Sequence, residues 1–155
     1  MLDPGIYAAA LRDGRDLLAA LADRGPEGDG AVFAAARDVM DAAEDLRAIL
    51  DTATRLAVES SRTTHGAPEC LEACAFLGRA LVRAIRGAPK DAILFGDDRP
   101  YHEASVRAIA AGQYRALAVS QIRGTGYVID CLVAALWCFM RAETYEAAVL
   151  QAANL

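Results

Sequence analysis

Histidine, aromatic side chains and surplus positive charge are what this sequence has least of. Its 155 residues include two histidines, one tryptophan and 6% aromatics, and 16 Lys and Arg stand against 21 Asp and Glu for a formal net charge of -5. A general nucleic-acid binder needs a phosphate-neutralising surplus of Lys and Arg. That surplus is absent, which excludes bulk DNA or RNA binding while leaving room for a nucleotide-sized ligand. The longest apolar run, residues 128–140, is interrupted by Asp130 and falls short of the roughly 20 residues that a bilayer span requires. No membrane helix is expected. The opening MLDPGIYAAALRDGRD carries acids where a secretory leader needs a basic start and an unbroken apolar segment, so the expected location is the cytoplasm. Four cysteines, Cys70, Cys74, Cys131 and Cys138, fall within apolar helical patterns and read as buried, reduced thiols rather than a disulfide framework.

What is present is a core. Apolar residues make up 55% of the chain, enough for one ordinary domain. Alanine is abundant and strand-like alternation is scarce, so the fold class is all-α. A first helix is expected over residues 6–24, closed by the GPEGDG stretch at 25–30. Helical periodicity continues from Ala31 to about Ser60, in one piece or two. Pro68 suits the first turn of a helix running to about Arg86. On that helix the apolar face should hold Leu71, Cys74, Phe76, Leu77, Leu81, Val82 and Ile85, with Glu72, Arg79 and Arg83 left for solvent. Residues 90–101, KDAILFGDDRPY, read as irregular. A short helix around 103–111 follows, then the strongest helical pattern, 128–141. A last helix is capped by Thr144, whose hydroxyl can accept a first-turn N–H.

The chemistry these residues can support is limited. His102, at an apparent helix start, reads as a surface residue. His65 lies in the polar loop SSRTTHG, either a helix–helix connection or a loop able to hold an anion through backbone N–H groups and an imidazole. Cys70, Cys74 and His65 fall short of the four paired ligands of structural zinc. The carboxylates Asp41, Glu44, Asp45, Asp51, Asp97 and Asp98 are spaced as on a solvated face. The segment RGTGY at 123–127 offers a glycine-rich helix start with an aromatic beside it, able to admit a phosphate or stack a base.

Three stretches share one resemblance: ESSRTTHGAPECLEAC (59–74), AAGQYRALAVSQIRGTGYVIDCLVAALWCF (110–139) and TYEAAVLQAANL (144–155). In order and spacing they resemble the ADP-ribosylglycohydrolase family. The resemblance covers about residues 55–155 and leaves 1–50 as a diverged helical segment of the same single domain. It implies an orthogonal helical bundle, here incomplete, and a hydrolase that removes ADP-ribose from modified protein side chains with Mg²⁺ or Mn²⁺. It also implies substrate-binding roles for Thr64 and His65 at the cleft and for Gly126 and Tyr127 near the adenosine end. The family's Gly-Asp-Asp-Thr-Asp-Thr motif would follow Leu155, its aspartate-rich N-terminal motif has no counterpart, and residues 36–40 read ARDVM where a Gly-Asn-Gly loop is expected. The chain is therefore expected to be a shortened member that binds no metal alone and is inactive by itself, with no catalytic residue assigned. The alternatives are a non-catalytic ADP-ribose-binding module or a helical interaction module. A homo-oligomer or a complementing chain would then cover its apolar C-terminal end.

Overall fold

A computed structural model describes the backbone of residues 30–155 and the side chains of residue 41 and of residues 43–155. The helix expected over 6–24 and the break up to Asp29 lie outside the described residues. Six α-helices follow: α1 (Gly30–Arg62), α2 (Pro68–Ile85), α3 (Lys90–Phe95), α4 (Ala104–Ala110), α5 (Val128–Arg141) and α6 (Tyr145–Ala153). Short 3-10 turns occupy Gln113–Ala116 and Val119–Gln121, and no strand occurs among the described residues. The fold is all-α, as the composition implied. The chain divides into two units, Met1–Asp51 and Thr52–Leu155, and the description below concerns the second.

Two helix starts form as the sequence predicts, and a third element, α1, settles a choice that the periodicity left open. α1 is continuous from Gly30 rather than broken in two. Pro68 opens α2, where its missing N–H costs nothing. Thr144 caps α6 by accepting the Ala147 N–H at 3.2 Å. Residues 90–95 depart from expectation: KDAILF forms a helical turn and a half that buries Leu94. Its preceding Pro89 is extended and suits a helix entry. Lys90 joins this short helix to the end of α5, donating to the Ala142 carbonyl at 2.5 Å with its ammonium 4.8 Å from the Phe139 ring centre.

The core gathers Phe76 from α2, Leu94 from α3, Val106 and Ile109 from α4, and Leu132 and Trp137 from α5. Trp137 buries its ring and donates its indole N–H to the Leu117 carbonyl at 3.0 Å, the partner a buried indole requires. Gly112 is indispensable to the bend between α4 and the first 3-10 turn. Its φ is +71°, and a Cβ there would lie 2.6 Å from Phe95 Cε1, so both backbone conformation and space demand glycine.

α2 corrects the sequence reading most sharply. Arg79 and Arg83 were expected in solvent, yet both are buried, whereas Leu77, Leu81 and Ile85 are exposed, Ile85 at 84%. The inversion has an electrostatic cause. Asp97, expected on a solvated face, has a side chain only 1% exposed and meets both arginines: Arg79 Nε donates to Oδ1 at 2.8 Å, and Arg83 Nη2 lies 2.8 Å from the same oxygen. Tyr101 donates to Oδ2 at 2.5 Å, the Arg99 backbone N–H reaches Oδ1 at 3.2 Å, and Arg79 Nη2 extends to Asp98 at 3.1 Å. Alanines flank the arginines on α2, so apolar residues occupy both faces and hydrophobicity alone does not choose between them. Asp97 accepts a hydrogen bond from Arg79 and pairs by charge with Arg83, whose buried terminal nitrogens make no hydrogen bond, and this double ion pair decides which face turns inward.

Burial pushes the Asp97 carboxyl up, but the Tyr101 hydrogen bond and the two arginines outweigh it and hold the group below the usual carboxylate range. Removing one member of such a cluster strands buried charge, at about 3 to 5 kcal/mol. Asp97→Asn should lower unfolding free energy by that order in urea titrations. The unfolded chain protonates first on acidification, so the contribution of Asp97 is complete above about pH 4 and drains as pH falls through the folded value. Chemical denaturation between pH 6 and pH 3 should show a smaller acid-induced loss in Asp97→Asn than in the wild type.

Candidate functional site

α1 ends at Arg62 in a turn held by hydroxyls. Thr63 Oγ1 donates to the Ser60 carbonyl at 2.7 Å and Thr64 Oγ1 to the Ser61 carbonyl at 3.3 Å, while the His65 N–H also reaches Ser61 O at 2.7 Å. Ser61 Oγ closes the loop on the His65 carbonyl at 3.0 Å. These bonds satisfy carbonyls that the helix end leaves open. The consequence is a fixed backbone that presents the exposed His65 side chain to solvent. No hydrogen bond to its imidazole occurs among the described residues. Thr64 spends its proton on the turn but keeps lone pairs for a donor.

The segment before α5 is pinned by Asp130, which accepts from Arg123 Nη2 at 2.9 Å and from Thr125 Oγ1 at 2.8 Å. Thr125 Oγ1 in turn accepts the Tyr127 N–H at 3.1 Å. An acid in the first turn of α5 also complements the helix dipole. Tyr127 is 46% exposed, so part of the residue is open to solvent.

Thr64 and His65 are far from Gly126 and Tyr127 in sequence, and one residue joins their two segments: Glu69, in the first turn of α2 and four residues after His65. Tyr127 Oη donates to Glu69 Oε2, and Ser105 Oγ, from α4, donates to Oε1. These hydrogen bonds, first from Ser105 and then from Tyr127, hold the Glu69 carboxyl below its ordinary value. The hydrogen bond to Glu69 pushes the Tyr127 phenol up to about 12. One turn further along α2, Glu72 accepts the backbone N–H groups of His102 at 2.8 Å and Glu103 at 2.8 Å. It thereby caps α4, which has no side-chain cap of its own.

Glu69, Glu72, Phe76, Arg79 and Arg83 recur in steps of three and four residues, the spacing of one helical face. Neither Glu69 nor Ser105 stood out in the sequence. The spacing was the available signal, masked because apolar residues drew attention to the opposite face.

Gly126 and Gly66 differ from Gly112. Neither has a positive φ, and a Cβ on either would meet nothing within 4 Å. Backbone and packing tolerate a side chain at both positions, which leaves open access beside Thr64–His65 and beside Tyr127.

A divalent cation of the Mg²⁺ type requires several converging oxygens. Among the described residues, no three His, Cys, Asp or Glu side chains converge. Asp97 and Asp98 are committed to arginines, Glu69 to two hydroxyls and Glu72 to two backbone amides. These residues therefore do not fit the metal centre that the resemblance implies. The thiols are not uniformly buried as expected. Cys138 is buried, Cys70 and Cys74 are intermediate, and Cys131 is exposed, with its sulfur donating to Thr125 O at 2.7 Å. Cys131 sits in the sparsely covered first turn of α5, whereas Cys138, two turns on, reaches the core. His102 is exposed, as expected.

Comparison with known proteins places these features in context. The sequence matches the profile of ADP-ribosylglycohydrolase over residues 3–155. It is 38% identical over 98 residues to ADP-ribosylarginine hydrolase Tri1 of Pseudomonas putida (strain GB-1), covering 63% of this chain and 26% of that protein. It is also 38% identical over 95 residues to ADP-ribosylarginine hydrolase Tri1 of Serratia proteamaculans (strain 568), covering 61% of this chain and 26% of that protein. The chain thus spans about a quarter of the length of the curated relatives it matches.

The shared carboxylate makes a direct prediction. With tyrosine ring Cζ labelled by ¹³C, the Tyr127 resonance should titrate near pH 12, and in Glu69→Ala it should fall toward the ordinary value of about 10. An unshifted titration in the variant would show that Glu69 does not hold the hydroxyl.

Proposed function

The chain belongs to the ADP-ribosylglycohydrolase family, and from that premise we propose that this segment forms the ADP-ribose-contacting wall of an ADP-ribosyl hydrolase acting on modified protein side chains. Arginine is the side chain to test first, because both relatives are named ADP-ribosylarginine hydrolase. The observation that carries the reading is the Glu69 bridge. It ties Tyr127 to the helix start that immediately follows Thr64 and His65.

In this reading His65 donates an imidazole N–H to a diphosphate oxygen, in either its neutral or its protonated form. Thr64 accepts a ribose hydroxyl through its remaining lone pairs. The Tyr127 ring stacks on adenine, and Gly126 leaves the backbone accessible beside it. In the family, Mg²⁺ or Mn²⁺ supplies the activation of water. The described residues lack a donor set for it, so the reading assigns this chain alone the binding of ADP-ribose and not its release from a side chain.

Calorimetric titration with ADP-ribose, in Mg²⁺ or Mn²⁺ and again in chelator, tests this. The expected result is the same affinity in both, weakened about tenfold in His65→Ala by loss of one hydrogen bond to a charged group. No ADP-ribose should be released from an ADP-ribosylarginine substrate. Gly126→Ala should melt like the wild type yet bind more weakly. Absence of binding would overturn the reading, and metal-dependent release would overturn its non-catalytic part.

A second reading, an interaction or dimerisation module, is favoured by the exposed stripe Leu77, Leu81 and Ile85 on α2 and by exposed Tyr145, Val149 and Leu150 on α6. It predicts a dimer mass by light scattering that returns to the monomer mass in Leu81→Lys. A wild-type monomer would overturn it.

A further inference from the structure

Glu69 lies within the 59–74 stretch, where the resemblance gives it no role, and it receives the hydroxyl of Tyr127 and that of Ser105 on separate oxygens. A tyrosine hydroxyl has one proton to give, and here it goes to Glu69. Its lone pairs then lie against a carboxylate, and an approaching phosphate would meet that negative charge rather than a donor. The ring carries no such restriction, and close to half of the residue is exposed. Four residues upstream, the His65 side chain is exposed and presents the opposite chemistry, a group able to donate to an anion.

We propose that Glu69 is the positioning residue for Tyr127: it takes up the phenol proton, so that the ring alone is offered to ligand, and it thereby sets the direction of a bound nucleotide. The uncharged base lies at the Tyr127 end and the phosphates lie toward His65. Ser105 steadies Glu69 from α4 and keeps the carboxylate from swinging with the ligand. The inference rests on the ADP-ribose reading above, takes its polarity from it, and adds a residue and a reason for that polarity.

Three ligands separate the possibilities: ADP-ribose, AMP, and ribose 5-phosphate, which lacks the base. Glu69→Ala should weaken ADP-ribose and AMP about tenfold, the scale of one hydrogen bond to a charged group. Ribose 5-phosphate should bind Glu69→Ala as it binds the wild type. Tyr127→Phe keeps the ring but loses the tether and should show the same pattern. The double variant should be no weaker than either single variant, because both remove the same interaction. Glu69→Gln, which keeps one acceptor oxygen, should restore most of the affinity. Thermal melts of all variants identify any that fail to fold, and Glu69→Gln with Tyr127→Phe then carries the test.

Wild-type binding of ADP-ribose with Glu69→Ala unaffected would overturn the positioning role alone. Equal losses for AMP and ribose 5-phosphate would also overturn it, by marking Glu69 as a prop for the whole edge. A wild type that binds none of the three ligands would overturn both this inference and the reading on which it rests.

Discussion

Asp97 between Arg79 and Arg83 is the constraint on which the second unit depends. The three charges lie in a region with little water, where each is tolerable only because the others are present. Their mutual attraction fixes the rotation of α2 about its own axis, and that rotation decides what the helix shows to each neighbour. With the arginines inward, Phe76 meets Tyr101 edge-on at 6.0 Å between ring centres, and Glu69 and Glu72 face α4. The same turn of the helix sends Leu77, Leu81 and Ile85 outward.

The proposed binding edge is a downstream effect of this rotation. One helical face carries a cationic end, which meets Asp97, and an anionic end, which receives hydroxyls and backbone amides. The anionic end accomplishes two separate tasks. Glu72 supplies the cap that α4 lacks, and Glu69 brings Tyr127 to the helix that begins just beyond His65. The ion cluster and the Tyr127 tether therefore share an element without sharing residues, since Asp97 lies at one end of α2 and the Tyr127 tether at the other.

Much of this was legible in the sequence. The all-α class followed from alanine content and periodicity, Pro68 and Thr144 marked helix starts, and the Thr-His-Gly and Gly-Tyr-Val stretches marked the family. The orientation of α2 was not legible, because hydrophobic periodicity presumes that arginine faces water and fails when a carboxylate far along the chain compensates it. Asp97 gave no such sign beside Asp98 in a segment read as irregular. Glu69 was missed for a related reason: its role depends on Tyr127, a residue 58 positions away, and pairing at that range leaves no local pattern. Cys131 was misread because position on a helical face does not report how well a first turn is covered.

The two ties along α2 differ in the length of chain they close. Arg79 and Asp97 are separated by 18 residues, Glu69 and Tyr127 by 58. Loop-closure entropy grows with the logarithm of that length, so the longer loop costs about 1 kcal/mol more to close. The ion cluster can condense from a local hairpin of α2, α3 and the segment after it, whereas the Tyr127 tether must wait for α5 to dock. On this ordering the Tyr127 tether closes after the ion cluster, and in the proposed ADP-ribose reading a bound nucleotide would favour the closed tether by mass action.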